Sequence, residues 1–172
     1  MAHSVELLFD PITDAVIRRD WAALADAGLP SQARHRSPTN RPHVTLTVAD
    51  RIDEAVDAGL REPAGQLPLE CRIGAPMIFG RSALTLVRLI VPAAGLLRLH
   101  DSVDAICAPH LSGGAFPHAR PGRWTPHVTV SRRLAPADLA TALDLIGTDD
   151  VEGAFTGLRR WDGDGRVDVL IA

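Results

Sequence analysis

The tetrapeptide Pro42-His43-Val44-Thr45 returns 84 positions later as Pro126-His127-Val128-Thr129. In both copies polar and aliphatic residues go on alternating, through Leu46-Thr47-Val48 in the first and Val130-Ser131 in the second. Successive side chains of a β-strand point to opposite faces, so the alternation predicts two strands, here called the motif strands. The spacing of the copies indicates a fold with two similar halves and one motif strand in each.

The alternation also assigns side chains to the faces of each motif strand. The aliphatic residues share one face, which we expect to pack on the core. The polar faces carry the following residues, in chain order: His43, Thr45 and Thr47 on the first strand, and His127, Thr129 and Ser131 on the second. Histidine titrates near neutral pH, so two fixed imidazoles are suited to act as a general acid and a general base.

Length and composition indicate one ordinary domain. The chain has 172 residues, of which 46% are hydrophobic and 23% charged, enough apolar material for a sizeable core. Its net charge of −3 argues against a protein that binds nucleic acid through positive charge spread over the whole chain. An anionic substrate would have to be bound by a local cluster of basic residues. All 18 basic residues are arginine, which forms forked contacts with phosphate.

The remaining composition points to the cytoplasm. Two cysteines, Cys71 and Cys107, are too few for a disulfide framework, and we interpret them as reduced core residues. Residues 1–6 lack the basic and apolar regions of a signal peptide, and no apolar run approaches the roughly 20 residues that span a bilayer. We therefore expect a cytoplasmic protein without membrane association, and nothing in the sequence indicates an obligate protein partner.

Hydrophobic periodicity and the positions of Gly and Pro predict an α+β order of elements. Strands are expected at residues 5–9, 43–48, 67–73, 76–79, 83–91, 124–131, 151–161 and 166–171. Helices are expected from Asp10-Pro11 to about Gly28, and at residues 50–60, 93–106 and 136–146. The order of elements in the second half of the chain nearly repeats that in the first. We therefore predict a single domain 1–172 with two halves, 1–82 and 83–172, which could exchange their terminal strands.

A groove between the two motif strands would suit phosphoryl transfer. In-line displacement at phosphorus needs a base on the attacking oxygen and an acid on the departing oxygen, and these stand on opposite sides. His43 and His127 would supply them, one neutral and one protonated. The hydroxyls of Thr45 and Thr129 would donate hydrogen bonds to the non-bridging oxygens.

These motifs resemble the signature of the two-histidine (2H) phosphoesterase superfamily, which includes 2′-5′ RNA ligase-like proteins and RNA 2′,3′-cyclic phosphodiesterases. The signature is a pair of His-x-Thr-hydrophobic motifs, present here as His43-Val44-Thr45-Leu46 and His127-Val128-Thr129-Val130. The flanking Arg41-Pro42, Trp124-Thr125-Pro126 and Ser131-Arg132 are also similar to the family pattern. The resemblance covers about residues 4–171 and is specific at the motifs.

The resemblance implies a fold, an activity and a set of site residues. The fold would be bilobal and pseudo-twofold, with antiparallel sheets lining a central groove and helices outside. His43 and His127 would be catalytic, Thr45 and Thr129 would bind phosphate, and neither a metal nor a cofactor would be needed. Substrates would be RNA ends or cyclic nucleotides with a 2′,3′-cyclic phosphate or a 2′-5′ linkage. Hydrolysis is the commoner activity, and reversible ligation occurs in some members.

Further residues near the motifs are candidates for substrate contact. Arg41, Arg123 and Arg132 are candidates for binding phosphate, although strict alternation points Arg132 away from His127 unless the strand bulges. Phe79 and Trp124 are aromatic residues that would stack on a base, against the simpler interpretation that they belong to the core.

Two other interpretations of the sequence remain open. In the first, the same groove binds nucleotides or RNA ends without catalysis. In the second, His110 and His118 hold a metal ion for a metal-dependent hydrolase, although no carboxylate or cysteine lies at ligand spacing. We favour a different role for the loop 108–123, as a mobile lid over the groove.

Overall fold

The computed structural model describes all residues from 1 to 172 and shows four α-helices around an antiparallel sheet. In chain order the elements are β1 (His3–Phe9), α1 (Pro11–Asp26), β2 (His43–Ala49), β3 (Arg51–Ile52), α2 (Val56–Ala64), β4 (Leu69–Phe79), β5 (Leu84–Ile90), α3 (Ala94–Cys107), β6 (Leu111–Ser112), β7 (His127–Leu134), α4 (Leu139–Leu145), β8 (Val151–Asp162) and β9 (Val167–Leu170). The predicted α+β fold class is confirmed.

The large sheet has seven strands in the order β1-β2-β7-β5-β4-β8-β9, and β1 also pairs with β8. The motif strands β2 and β7 pair with each other only at Val44 and Val128. Strand β8 is shared: residues 151–155 pair with β4, and residues 155–161 pair with β1. Two groups of strands therefore meet along β8 and at one bridge between the motif strands. Where the chain divides into halves stays a prediction.

The second motif strand, expected at 124–131, is β7 at His127–Leu134, and the last helix, expected at 136–146, is α4 at Leu139–Leu145. Two further differences from the sequence prediction have local causes. The expected strands at 67–73 and 76–79 form the single strand β4, with a break in register between Ile73 and Pro76. Helix α2 begins later than expected, because β3 comes first, and it continues through Pro63 to Ala64. Gly59 lies inside α2 because α3 packs closely there: a Cβ at this position would lie 2.9 Å from the Ile106 side chain.

The helices pack on the sheet through apolar side chains. Helix α1 buries Ile17, Trp21 and Leu24, and α3 buries Leu96, Leu99 and Val103 among others. A single cluster of 29 buried residues joins these helices to both motif strands, so there is one core. Burial of each aliphatic side chain in this core stabilises the fold by about 1.5–3 kcal/mol. None of the helices combines the length and the apolar character needed to cross a bilayer.

Both motif strands contain a bulge, and the strict alternation predicted from the sequence is wrong beyond it. Along β1 the register slips so that Glu6 faces Thr45 but Val5 faces Thr47. The extra residue turns Thr47 into the core, where it is fully buried. Strand β7 slips in the same way, and Ser131 is fully buried instead of lying beside His127.

The loop 108–123 is tied to the rest of the fold. Its strand β6 pairs with β3, and the Phe116 amide donates to the Val48 carbonyl at 2.8 Å. The ring of His100 bridges the carbonyls of Leu46 and Ala119 at 3.0 and 2.8 Å. These anchors contradict the interpretation of the loop as a mobile lid, and they make it a wall of the groove described below.

The two cysteines lie where the sequence predicts. Cys71 and Cys107 are both buried and free. Burial raises the pKa of each thiol to about 12, and neighbouring carboxylates add to the effect. Both therefore remain protonated and act as small apolar core residues.

Candidate active site

A groove of about 770 Å³ opens between the two motif strands. Eight of the predicted site residues lie along it: His43, Thr45, Phe79, Arg123, Trp124, His127, Thr129 and Arg132. The structure thus brings both histidines and both threonines to one cavity. Arg41 lies outside this lining, with its guanidinium 3.7 Å from the Asp168 carboxylate.

The two imidazoles are anchored in the same way. The Nδ1 atom of His43 lies 2.8 Å from the Arg41 carbonyl, and Nδ1 of His127 lies 2.7 Å from the Thr125 carbonyl. A carbonyl only accepts, so Nδ1 carries hydrogen in both rings and Nε2 remains for proton exchange. Each ring is bonded to the carbonyl two residues before it, which gives both halves the same local construction.

The surroundings of His127 favour its neutral form. Burial lowers its pKa, and this outweighs the hydrogen bond to the Thr125 carbonyl, which raises it. The charges of Arg132, His43 and His118 lower the pKa further. The ring edge of Phe79 also closes one side, with ring centroids 5.0 Å apart. At neutral pH His127 is therefore ready to accept a proton at Nε2.

His43 lies beside a buried carboxylate that the sequence analysis missed. Glu6 on β1 is only 4% exposed, and its Oε1 atom lies 3.6 Å from Nε2 of His43. Its other oxygen accepts a hydrogen bond from Nε of Arg159 at 2.8 Å and forms an ion pair with a terminal guanidinium nitrogen at 2.7 Å. The signal was present in the sequence, because Glu6 is the lone charged residue inside the apolar run 5–9.

The threonines are held through their backbone by two indoles. The Trp21 side chain donates to the Thr129 carbonyl at 3.0 Å, and the Trp124 side chain donates to the Thr45 carbonyl at 2.9 Å. Neither threonine needs its hydroxyl for these bonds, so both hydroxyls remain available to a ligand. The indole of Trp124 stacks on His100 with ring centroids 4.0 Å apart.

The remaining candidates divide into two groups. Arg132 reaches the groove because of the bulge in β7, and with Arg123 it supplies positive charge there. Phe79 is 39% exposed at the groove, so the alternative of a core position is wrong for this residue. His100 covers one face of the Trp124 indole, and the indole nitrogen donates to the Thr45 carbonyl. Trp124 is therefore a positioning residue for Thr45.

A metal site at His110 and His118 lacks a ligand set. His118 lies in the groove, whereas His110 does not line it. The only group of three or more potential ligands in the molecule lies elsewhere and consists of His3, Asp162 and Asp164. There the carboxylates already pair with the His3 ring and the terminal amine of Met1.

Fold and site together define an α+β protein with one seven-stranded antiparallel sheet and a two-histidine groove. The family model of the 2′-5′ RNA ligase superfamily matches residues 13–166, and the chain belongs to this superfamily, the 2H phosphoesterases. No functionally curated protein sequence matches the chain.

Solved structures of the same fold cover nearly the whole chain. TT0787 of Thermus thermophilus has 18% identity and a TM-score of 0.59, over 100% of this chain and 96% of that one. Escherichia coli LigT complexed with 3′-AMP has 14% identity and a TM-score of 0.55, over 98% and 91%. Kluyveromyces marxianus Usb1 with uridine monophosphate has 13% identity and a TM-score of 0.53, over 99% and 97%. At these identities the likeness is one of fold.

Proposed function

We propose that this protein is a metal-independent phosphodiesterase that acts on a 2′,3′-cyclic phosphate or a 2′-5′ linkage at RNA ends or on nucleotides. The observation that carries the proposal is the pair of imidazoles in one groove, each anchored through Nδ1 with Nε2 left for proton transfer. One ring is the base on the attacking oxygen, and the other is the acid on the departing oxygen. Run in reverse, the same groups would support ligation.

The rest of the groove fits a phosphodiester of nucleotide size. The hydroxyls of Thr45 and Thr129 would donate to the non-bridging oxygens, where charge grows in the transition state. Arg123 and Arg132 add positive charge, and Phe79 presents an exposed aromatic ring suited to a base. The fold is shared with LigT, whose structure contains 3′-AMP, and with Usb1, whose structure contains uridine monophosphate.

The first prediction concerns the two histidines. We expect His43→Ala and His127→Ala each to lower kcat on the best substrate by about 10²–10⁴-fold, the usual contribution of general acid–base catalysis. The substrates to screen are 2′,3′-cyclic nucleotides, ADP-ribose cyclic phosphate and 2′-5′-linked dinucleotides, with product regiochemistry recorded. His110→Ala, which changes a histidine outside the groove, is the matched control and should keep wild-type turnover.

The competing functions give different results in the same assay. A non-catalytic binder would retain the cyclic phosphate uncleaved in a crystal soaked with it, and wild-type protein would show no turnover. A metal-dependent hydrolase would lose activity with a chelator and in His110→Ala. Full turnover in either His43→Ala or His127→Ala would refute the proposal.

A further inference from the structure

A second, smaller cavity adjoins the groove. It encloses about 280 Å³ between helix α1 and the loop 31–40, and we call it the loop pocket. Its lining includes Arg18 and Trp21 from the helix and His35, Arg36, Ser37 and Asn40 from the loop. Four of these residues also line the groove: Trp21, His35, Ser37 and Asn40. Single side chains therefore separate the loop pocket from the groove.

The loop pocket is positively charged. Arg18 and Arg36 both line it, and no acidic residue does. Nε of Arg18 is paired with Asp14, and the guanidinium lies over the Trp21 ring, 5.6 Å from its centroid, so Arg18 is held in place. The Arg36 side chain is exposed to solvent. In a chain with a net charge of −3, two arginines without a lining carboxylate form a local site for an anion.

Hydrogen bonds within the loop hold its shape. The Asn40 side chain donates to the carbonyls of Gln32 and His35, at 2.9 and 3.0 Å, and so ties the end of the loop to its beginning. The Ser37 amide donates to Nδ1 of His35 in a long hydrogen bond of 3.4 Å. In the neutral ring Nε2 therefore carries the hydrogen and is a further donor. A loop ordered in this way loses little conformational freedom when a ligand binds.

The loop is also fixed to the framework of the groove at both ends. The Ser131 hydroxyl of β7 donates to the Pro30 carbonyl at 2.7 Å, and the Arg159 guanidinium of β8 donates to the Thr39 carbonyl at 2.8 Å. Between the two cavities, the Trp21 indole donates to the Thr129 carbonyl at 3.0 Å. The position of the loop pocket is thus set by the same strands that position the groove.

The lining of the loop pocket suits a phosphate and not a base. Arginine stays charged at any physiological pH, and its planar group binds two phosphate oxygens at once. Trp21 is the one indole in the pocket, but it is only 3% exposed and offers no ring face on which a base could stack. The groove differs, because Phe79 is exposed there.

We propose that the loop pocket binds a second phosphate of the substrate, the one joined to the 5′ oxygen of the nucleotide whose phosphodiester reacts in the groove. This inference rests on the proposed function of the groove. The last nucleotide of an RNA strand always carries such a phosphate, because it links that nucleotide to the one before. A nucleoside 2′,3′-cyclic phosphate with a free 5′ hydroxyl lacks it. The substrate class is therefore RNA ends or 5′-phosphorylated nucleotides, with Arg18 and Arg36 as specificity-determining residues.

Binding tests the second phosphate without any turnover. The probes are adenosine 3′-monophosphate and adenosine 3′,5′-bisphosphate, measured by calorimetry. In wild type we expect the bisphosphate to bind at least about tenfold more tightly, the lower range for a hydrogen bond between charged groups. Arg36→Gln should remove most of this preference. Arg34→Gln is the matched control, because it removes an exposed arginine of the same loop that lines neither cavity, and it should keep the preference.

Turnover separates the two sources of the phosphate. The substrates are adenosine 2′,3′-cyclic phosphate, its 5′-phosphorylated form and a diadenosine that ends in a 2′,3′-cyclic phosphate. Relative to the first, Arg36→Gln should lower kcat/KM for the others by about tenfold, mainly through KM, since the contact lies away from the reacting atoms. A wild-type preference for the dinucleotide alone identifies RNA ends, and a preference for the 5′-phosphorylated form identifies a nucleotide.

Three results would overturn the inference: equal affinity of wild type for the two probes, a preference that survives the double variant Arg18→Gln/Arg36→Gln, or an equal loss of preference in Arg34→Gln. A protein that shows the Arg36-dependent preference but cleaves none of the three substrates would remove the proposed function and leave the phosphate site. A protein that cleaves all three with equal kcat/KM and binds both probes equally would remove only the phosphate site.

Discussion

At the scale of single residues, two threonines on either side of one backbone bulge have different roles. Thr45 lines the groove, whereas Thr47, two residues later, is fully buried. The Thr47 hydroxyl has no hydrogen-bond partner in the core. A β-branched residue is favoured in a strand whether or not its hydroxyl is used, so residue type alone does not separate these two threonines.

The two kinds of threonine should respond differently to valine. Thr45→Val and Thr129→Val each remove a donor aimed at the phosphate, and we expect kcat to fall by about 10²-fold with the fold intact. Thr47→Val is the matched control. It should leave turnover unchanged and raise the free energy of unfolding by about 1 kcal/mol, because it removes an unpaired buried hydroxyl. Steady-state kinetics and urea unfolding measure both effects, and equal losses of turnover in all three variants would contradict this assignment.

At the scale of elements, helix α1 connects the fold to the site. It begins at an Asp10 cap whose Oδ1 accepts from the Ile12 and Thr13 amides at 2.9 and 3.1 Å. The other oxygen accepts from the Ala154 amide of β8 at 2.9 Å, which fixes the start of the helix to the sheet. Further along, Trp21 of the same helix holds the Thr129 carbonyl. The cap therefore helps to place a motif strand.

Asp10→Ala should lower the free energy of unfolding at neutral pH by about 2 kcal/mol, the upper range for loss of an N-cap. Burial raises the pKa of Asp10, but the hydrogen bonds from Thr13, Ala154 and Ile12 outweigh it and lower the pKa. The ionised cap thus stabilises the fold above the unfolded pKa of about 3.9, and this stabilisation is lost as the pH falls through the lower folded value. Urea unfolding should show the gap between variant and wild type closing below about pH 4.

The matched control for the cap lies one turn further along the same helix. Asp14→Ala removes the i,i+4 pair between Asp14 and Arg18, which is expected to cost less than about 0.5 kcal/mol. A pH-independent gap for Asp10→Ala, or an equal loss in Asp14→Ala, would show that the cap is not the cause.

At the scale of the whole molecule, distant parts of the chain are joined at buried arginines. Arg88 on β5 is fully buried, and its guanidinium donates to the carbonyls of Gly74, Gly147 and Asp149. Asp20 of α1 lies 3.8 Å away. This one side chain connects β4, β5, α1 and the segment before β8. Because β8 pairs with both β4 and β1, its placement determines how the two groups of strands meet.

Arg88→Leu should lower the free energy of unfolding by about 3–5 kcal/mol, because it leaves three carbonyls and a buried carboxylate without their charged partner. Turnover per folded molecule should change little, since Arg88 does not line the groove. Arg72→Gln on neighbouring β4 is the control. Arg72 is exposed and pairs with Glu152 and Asp150, and exposed ion pairs contribute little to stability. The free energy of unfolding of Arg72→Gln, measured by chemical unfolding, should therefore be close to that of wild type. Similar losses in both variants would argue against a special role for buried Arg88.

The sequence alone determined the motif strands, their histidines and threonines, and the α+β class, because these features are local or periodic. Alternation over a few residues is enough to place His43 beside Thr45 and His127 beside Thr129. Only the tertiary structure decided where alternation stops, because a bulge depends on the register with a neighbouring strand. It alone brought Arg132 into the groove and turned Thr47 out of it.

The asymmetry between the two histidines also belongs to the tertiary structure. Glu6 is 37 positions before His43 in the sequence, and Arg159 is in the last strand but one. They meet because β1 lies between β2 and β8. The strength of a charge acting on an imidazole depends on distance and burial, and both are set by strand pairing rather than by sequence separation.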